Sequence, residues 1–358
     1  MRCKVYLSDE GFGHIVRERA VIESLVHMQP TLDVYIQTET HLKAAQRFIP
    51  KANFHERFNN IRWDKLSNGS PDVEAIHHRF TDYIDRSLQF IAEEKEMAPV
   101  DFIVSDFVYE AFEVGRAMNT PAFGVAHFTW DWFFSKLYPP PIHTDVMRHF
   151  LQMASQATRL YFPPFTPEEI VRYHRGKAMQ VPLILHQQIE HKVSESHQRF
   201  KVLIMDSGAG VLADSIREAL KSLADLDDFL FFVSDRYALE QENIRTIPSD
   251  DLMVDYVADM DLVIGRAGFN TISECVGLRT PMLLIGEAMN PEMNENILML
   301  KKEHLGSFIS LDTFEKGLSK FLPSFVQHEY PLIQSSMRNH SIATNGADII
   351  AQDILNHL

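Results

Sequence analysis

Residues 261–296, DLVIGRAGFNTISECVGLRTPMLLIGEAMNPEMNEN, decide how the rest of the chain is read. Leu262-Val263-Ile264 is a short apolar run of the kind that forms a buried strand. Gly265-Arg266-Ala267-Gly268 interrupts it. After the polar Asn270 and Thr271, the apolar Ile272, Cys275, Val276 and Leu278 recur at helical spacing. Residues 281–285 form a second apolar strand. Strand, glycine turn, helix start and strand make one unit of a parallel α/β sheet.

Such a helix start has a chemical use. Its first backbone N–H groups have no partners inside the helix. The macrodipole adds partial positive charge there, so a diphosphate fits. Gly268 lets phosphate oxygens come close to the backbone. Thr271 and Ser273 offer hydroxyls. Glu274, about one turn in, is suited to accept from ribose hydroxyls. The same pattern also serves an ordinary strand–loop–helix unit that binds nothing.

The segment RAGFNTISECVGLRTPMLLI, with residues 292–296 after it, resembles the C-terminal signature of GT-B glycosyltransferases. It is most similar to the family that includes the bacterial lipid-linked GlcNAc transferase. The resemblance implies that the turn at Arg266 and Gly268, with Asn270 and Thr271, holds a nucleotide diphosphate. It gives Glu274 the ribose. It turns Glu292, Asn294, Glu295 and Asn296 toward the donor sugar.

Composition narrows the alternatives. The 358 residues suffice for two domains of ordinary size, and 45% of them are hydrophobic. No apolar run approaches the roughly 18 residues of a membrane helix. Residues 1–6 enter a strand directly, without a signal-peptide pattern. Cys3 and Cys275 lie far apart in apolar elements, which predicts free buried thiols and fits a reducing cytoplasm. The net charge of −15 disfavours nucleic-acid binding and docking to anionic lipid.

At the other end of the chain, residues 3–7 read as a strand, 8–14 as a loop and 15–28 as a helix. The logic is that of residues 261–296, but Asp9 and Glu10 put negative charge beside the loop, and these would repel a diphosphate. The loop is better suited to set His14 at a helix N-terminus, where the dipole favours a neutral imidazole able to act as general base. A His that only caps the helix is the alternative. GFGHIVR resembles the N-terminal G-x-G-H loop of GT-B transferases, including the transferase-like half of plant arabinose kinases. It is also similar to the loop of the nucleotide-sugar hydrolase of bacterial pseudaminic acid synthesis. These resemblances imply functional roles for Gly11, Gly13, His14 and Arg17, with His14 catalytic in the hydrolase.

Further strands are expected at 33–37, 101–105, 121–126, 160–165, 181–185, 201–205, 229–233 and 245–247, with helices at 41–48 and 73–96. Residues 67–71 and the prolines at 139–141 read as loops, and 186–198 as the interdomain linker. Asp106 falls at the carboxyl end of a strand, where ligands of parallel sheets collect, or else caps a helix. The run 127–134, HFTWDWFF, follows a strand at the same edge. It suits a sugar-stacking wall with Trp130 on it and Asp131 as a hydroxyl-binding group or base, or else packs beneath a lid. It resembles the corresponding segment of the arabinose-kinase transferase half.

Ser207-Gly208-Ala209-Gly210 resembles the glycine loop that opens the C-terminal domain of GT-B enzymes, which implies a nucleotide-sugar role for Gly208 and Gly210. Ile247 and residues 248–252 match the loop where relatives hold uracil by backbone contacts. Asp259-Met260-Asp261 and Asp225-Leu226-Asp227 match D-x-D, a metal motif in another transferase fold, but their placement reads as structural. Adjacent His77 and His78 on a helix point about 100° apart and make no metal pair.

The expected architecture is α/β: a GT-B fold of two doubly wound Rossmann-like domains facing a central cleft. Residues 1–190 are expected to bind acceptor and 199–340 the nucleotide sugar, while residues 341–358 form a helix packing back on the first domain. The expected activity is sugar transfer from a UDP-linked donor to a hydroxyl, with His14, Asp131 or Asp106 as base and neither metal nor cofactor. Hydrolysis with water as acceptor, or sugar-nucleotide binding without catalysis, are the other readings. The implied partners are the donor and a small-molecule or glycan acceptor.

Overall fold

The structure is a computed structural model. It describes residues 1–9, 12–57, 72–106, 108–137, 142–186, 199–206, 212–237, 241–249, 251–286 and 290–358, with only the backbone at 12, 76, 77, 79, 81 and 142–146. By their contacts the residues form two compact units, Met1–His186 with Ala343–Leu358, and Gln187–Ile342. The expected loops at 67–71 and 139–141, the glycine loop 207–210, the linker 187–198 and Gly11 lie outside the described residues.

The first unit carries seven strands: β1 (Arg2–Leu7), β2 (Asp33–Gln37), β3 (Asn53–His55), β4 (Phe102–Asp106), β5 (Ala122–Val125), β6 (Arg159–Phe162) and β7 (Ala178–Gln180). They form one parallel sheet in the order β3-β2-β1-β4-β5-β6-β7. The chain runs outward from β1 to β3, then restarts at β4 on the other side of β1. That reversal is a topological switch point, and it opens a crevice at the carboxyl ends of β1 and β4. Leu7 pairs with Asp106 in register, so both strands end at the same level.

Alternation along β1 explains the two cores. Cys3, Val5 and Leu7 face one cluster, which includes Val21, Leu25, Ile350 and Ile354. Tyr6 faces the other, built from Phe90, Phe112, Trp132, Phe134 and Phe150. A fully buried side chain of this size stabilises by roughly 1.5–3 kcal/mol. Lys4 shares the second face. It is buried against Glu94, which also accepts from the Tyr6 hydroxyl at 2.6 Å.

The last helix, Gly346–Asn356, belongs to this unit. It packs on the first helix, Phe12–Met28, where the Ser24 hydroxyl donates to Asp348 at 2.8 Å. Gly346 is demanded by close approach: a Cβ there would sit 2.2 Å from the Pro182 carbonyl oxygen. Residues 181–185, expected as a strand, make only an isolated bridge, Ile184 to Asn345, and β7 lies just before them. Pro182 has no N–H to give a ladder, which explains the difference.

The second unit carries β8 (Phe200–Ile204), β9 (Phe229–Ser234), β10 (Ile244–Ile247), β11 (Leu262–Arg266), β12 (Met282–Ile285) and β13 (Ser307–Ile309). Their order is β10-β9-β8-β11-β12-β13, again all parallel. The switch point falls between β8 and β11. The short apolar runs are strands because helices cover both faces, leaving Val202, Ile204, Phe231, Val263 and Leu283 fully enclosed. Two parallel sheets of this kind with flanking helices are the expected α/β class. Among the described residues no helix is long and apolar enough to cross a membrane.

Candidate functional site

Both switch points carry a glycine-bearing helix start. In the second unit the helix Phe269–Leu278 follows β11 directly. Its N-cap is Gly268, with extended backbone (φ −78°, ψ 148°), which has no side chain to cap the first turn. No acidic residue stands in that turn. A Cβ on Gly268 would meet nothing within 4 Å. Among the described residues, neither backbone strain nor packing therefore asks for glycine here.

Glu274 lies farther along this helix, with only 9% of its surface exposed. No hydrogen-bond partner is found for its carboxyl among the described residues, although burial makes one valuable. Burial and the nearby Asp255 push it up to about 8. An unpaired, nearly enclosed carboxyl beside an open helix N-terminus can accept from ligand hydroxyls while the helix end meets a phosphate.

The other residues of the set sit differently. Asn296 is buried, and its amide donates to the Ala267 carbonyl at 3.0 Å, so it holds the glycine turn in place. That bond uses the amide nitrogen of Asn296, the residue expected to face a donor sugar. Asn294 on the same helix, Pro291–Glu303, is exposed, and Glu295 half-buried. Arg266 closes β11 and Thr271 lies in the first turn of the helix that follows, both half-buried, as is Asn270. Ser273 is buried with its hydroxyl enclosed and unpaired, which removes it as a phosphate donor. Ile247 is buried at the end of β10. Asp261 of the D-x-D pattern accepts from the Lys201 backbone N–H at 2.8 Å, a tie between strands β8 and β11.

In the first unit the helix begins at Phe12, so Gly13 and His14 belong to its first turn and not to a loop. The Asp9 carboxylate accepts from the Thr38 hydroxyl at 2.7 Å and the Thr40 N–H at 2.7 Å, tying down the turn after β2. His14 Nδ1 is 2.8 Å from Asp106 Oδ2. Arg17, one helical turn on, places Nη2 on Asp106 Oδ1 and Nη1 2.9 Å from His127 Nδ1. Spacing i, i+3 puts His14 and Arg17 on one face, and β4 and β5 deliver Asp106 and His127 to the same crevice.

Donor rules fix the protons. Arg17 only donates, so His127 Nδ1 accepts. Asp106 is fully buried; burial pushes its carboxyl up, but Arg17 and His14 pull it below the usual range, and it is an acceptor only. His14 Nδ1 meets Asp106 Oδ2 at 2.8 Å and Arg17 Nη2 at 3.2 Å; donation to the carboxylate along the shorter contact leaves the lone pair of the neutral ring on Nε2. The His14 side chain is 11% exposed, against 2% for Arg17 and 0% for Asp106. An imidazole oriented by a buried carboxylate, and the most exposed side chain of the three, can take a proton from a bound hydroxyl.

Asp131 and Trp130 are not brought to this group. Trp130 is 3% exposed and Asp131 fully enclosed, in the helix Trp130–Leu137. The Trp130 ring packs on Phe128, Phe133 and Phe134. Asp131 accepts from the Tyr109 hydroxyl at 3.0 Å and lies 3.4 Å from His174 Nε2. The expected aromatic wall and the Asp131 base are thus corrected: residues 127–134 are buried, the last five of them opening the helix Trp130–Leu137, because so many large rings gain more in the core than at an edge. Arg17 is likewise buried and does not line an open loop. Sequence reasoning missed His127 and the buried Glu18; the signals were His127 closing β5 and Glu18 four residues after His14.

Residues 183–353 match the glycosyltransferase family 28 C-terminal domain, which covers β8–β13 with Gly268 and Glu274. A stretch of 146 residues is 30% identical to the UDP-N-acetylglucosamine–N-acetylmuramyl-(pentapeptide) pyrophosphoryl-undecaprenol N-acetylglucosamine transferase of Myxococcus xanthus (strain DK1622). The match covers 37% of this chain, and the chain spans about a third, 36%, of that relative's length. Among solved structures, the glycotransferase of kitacinnamycin superposes with a TM-score of 0.70 at 14% identity, covering 100% of this chain and 99% of that one. The spinosyn rhamnosyltransferase SpnG gives 0.67 at 11% identity, over 99% and 100%. The chain thus has the GT-B fold of these structures, and its residues 183–353 are similar to the glycosyltransferase family 28 C-terminal domain.

Proposed function

We propose that this protein transfers a sugar from a UDP-linked donor to an acceptor hydroxyl, with no metal ion. The observation that carries the proposal is Glu274: a carboxyl nearly enclosed, without a hydrogen-bond partner among the described residues, in a helix whose N-cap is Gly268, where a Cβ would meet none of the described residues within 4 Å. The ribose hydroxyls of a nucleotide would satisfy that carboxyl, and the helix N-terminus would meet its diphosphate. UDP is the choice because the Myxococcus relative's name carries it.

The proposed step balances as follows. His14 Nε2 takes the proton of the acceptor hydroxyl, and Asp106 stabilises the imidazolium that results. The acceptor oxygen attacks the anomeric carbon. The bond from that carbon to the phosphate oxygen breaks, and its electron pair leaves with the diphosphate. Partial positive charge at the helix start of Phe269–Leu278 offsets the developing charge.

The test is a thermal-shift panel of nucleotides and nucleotide sugars on the full chain with EDTA present, followed by a search for acceptor-dependent product. A ligand at 100 times its Kd adds about 2.7 kcal/mol of stability, which is readily seen. If no nucleoside diphosphate raises Tm at millimolar concentration, the donor assignment fails. If activity is lost in EDTA and returns with Mn²⁺, metal independence fails.

Hydrolysis is the second reading, and one observation favours it: the run 127–134 is enclosed, so it supplies no stacking wall for a sugar acceptor. Release of free sugar from the donor without any acceptor, at the rate of nucleotide formation, would select that reading.

A further inference from the structure

Glu274 is buried in the second unit beside another acid. From its own helix the neighbouring titratable group is the Cys275 thiol, which burial and Glu274 push well up, so it stays neutral. From the short helix Val254–Val257, which packs on Phe269–Leu278, Asp255 acts on Glu274 as a second carboxyl. Tyr256 of that short helix gives its hydroxyl to Asp251 at 2.5 Å, and burial pushes its phenol up. β11 ends in Arg266, yet among the described residues no ion pair or hydrogen bond joins a cation to the Glu274 carboxyl. A carboxylate nine-tenths buried, unsupported by donor or cation and next to a second acid, is far costlier than the neutral acid. The direction of its shift, up to about 8, agrees with that geometry.

We propose that binding of a nucleoside diphosphate at the Gly268 helix start drives a proton off Glu274 into solvent, so that the site holds its ligand more tightly as pH rises through neutrality. This rests on the reading of Glu274 as acceptor of the ribose hydroxyls. Before binding, the enclosed acid keeps its proton because nothing among the described residues supports its charge. Adjacent ribose hydroxyls bring two donors at once, and donation to a carboxylate favours the charged form. The O–H bond of the Glu274 carboxyl then breaks. Its electron pair stays on the carboxylate, the proton passes to buffer, and the ribose hydroxyls keep their own protons while donating. The ligand thus selects the ionised form. Below about pH 8 that form is the minority in the free protein, so affinity falls as pH falls.

The test is calorimetric titration of UDP into the full chain, in buffers of differing ionisation enthalpy, which counts the protons released. It is run at about pH 7.5, where a terminal phosphate that titrates near about pH 6 is already ionised. Wild type should release more than about half a proton for each UDP bound. Glu274→Gln, whose carbonyl still accepts, should release close to none. From about pH 6.5 to about pH 7.5 the wild-type affinity should rise about three- to eightfold relative to the Gln variant. If Glu274→Gln does not fold, the dideoxy analogue of UDP, which lacks both ribose hydroxyls, gives the same contrast on the wild-type protein: it should bind more weakly and release no proton. Equal release in wild type and Gln, or with UDP and its dideoxy analogue, overturns the proposal. The two readings separate. If Glu274→Ala weakens UDP binding but wild type releases no proton, Glu274 holds the ribose as a neutral acid, and only the coupling falls. If UDP affinity is unchanged in Glu274→Ala, the ribose reading falls and takes the coupling with it.

Discussion

The helix starts at Phe12 and Phe269 are built from one pattern and furnished in opposite ways. Each follows a strand at the switch point of a parallel sheet, and each has glycine at its entrance. At Phe12 the surroundings are filled: Asp9 is spent on the next turn, and His14, Arg17, Asp106 and His127 satisfy one another. At Phe269 the N-cap is a glycine without a side chain, a Cβ on it would meet none of the described residues within 4 Å, and Glu274 lacks a partner among the described residues. Local geometry offers the same positive helix end twice. The polar residues delivered by neighbouring strands make one a place for proton transfer and leave the other for an anion. A glycine loop before a helix thus says little about chemistry until the neighbouring strand ends are known.

The sharpest way to break the contrast is His14→Ala. It should cut turnover by roughly 10²–10⁴-fold while UDP affinity, measured by calorimetry, stays the same. Loss of UDP binding would show that the two helix starts do not divide the work as proposed.

Asp106→Ala comes next. It leaves the Arg17 guanidinium buried without its partner and should cost about 3 kcal/mol in denaturant unfolding, part of the loss being recovered as Glu18 ionises. The pH dependence has a definite sign. Asp106 is held below the ordinary carboxylate range, so its contribution is fully present above about pH 4 and is lost as pH falls through the lower folded value. A variant whose acid unfolding curve matches wild type would show that the pair does not hold the fold.

Glu274→Ala should weaken UDP binding by about 1–3 kcal/mol with little change in the turnover of bound donor. Unchanged affinity would remove the ribose assignment and leave the open helix start without its second element.

Glu274→Gln sharpens the comparison through pH. The carboxyl is pushed up to about 8 in the folded protein. Its contribution is therefore present below the unfolded value near 4.3 and is lost as pH rises through about 8, on the order of 2 kcal/mol. The amide should flatten that decline in the ligand-free protein, read as Tm between pH 5 and about 9. A wild-type Tm that does not fall over that range would mean the carboxyl is satisfied.

Gly268→Ala gives the smallest effect. The backbone there suits alanine and the added Cβ meets nothing, so stability should hold or rise by about 0.4–1 kcal/mol. UDP affinity should still drop, since the added methyl stands where the proposed diphosphate approaches the backbone. A full loss of folding would show that the glycine serves the protein.

The sequence by itself determined the sheet class and most strand positions: β2 spans the expected 33–37, and β1, β4, β8, β9 and β12 fall within a residue or so. Short apolar runs between helical patterns can only be central parallel strands, because nothing else buries both faces of so few residues. It also singled out His14, Asp106, Gly268 and Glu274, because strand ends and helix starts are local features. What only the tertiary structure decided was who meets whom. That Asp106 orients His14, that Arg17 reaches His127 across 110 positions, and that Asn296 is spent on Ala267 all depend on which strands become neighbours. Strand order is a long-range choice that no local spacing encodes. The aromatic run 127–134 shows the same limit: whether rings line an edge or fill a core is set by the space that distant helices leave open, and here that space is the core.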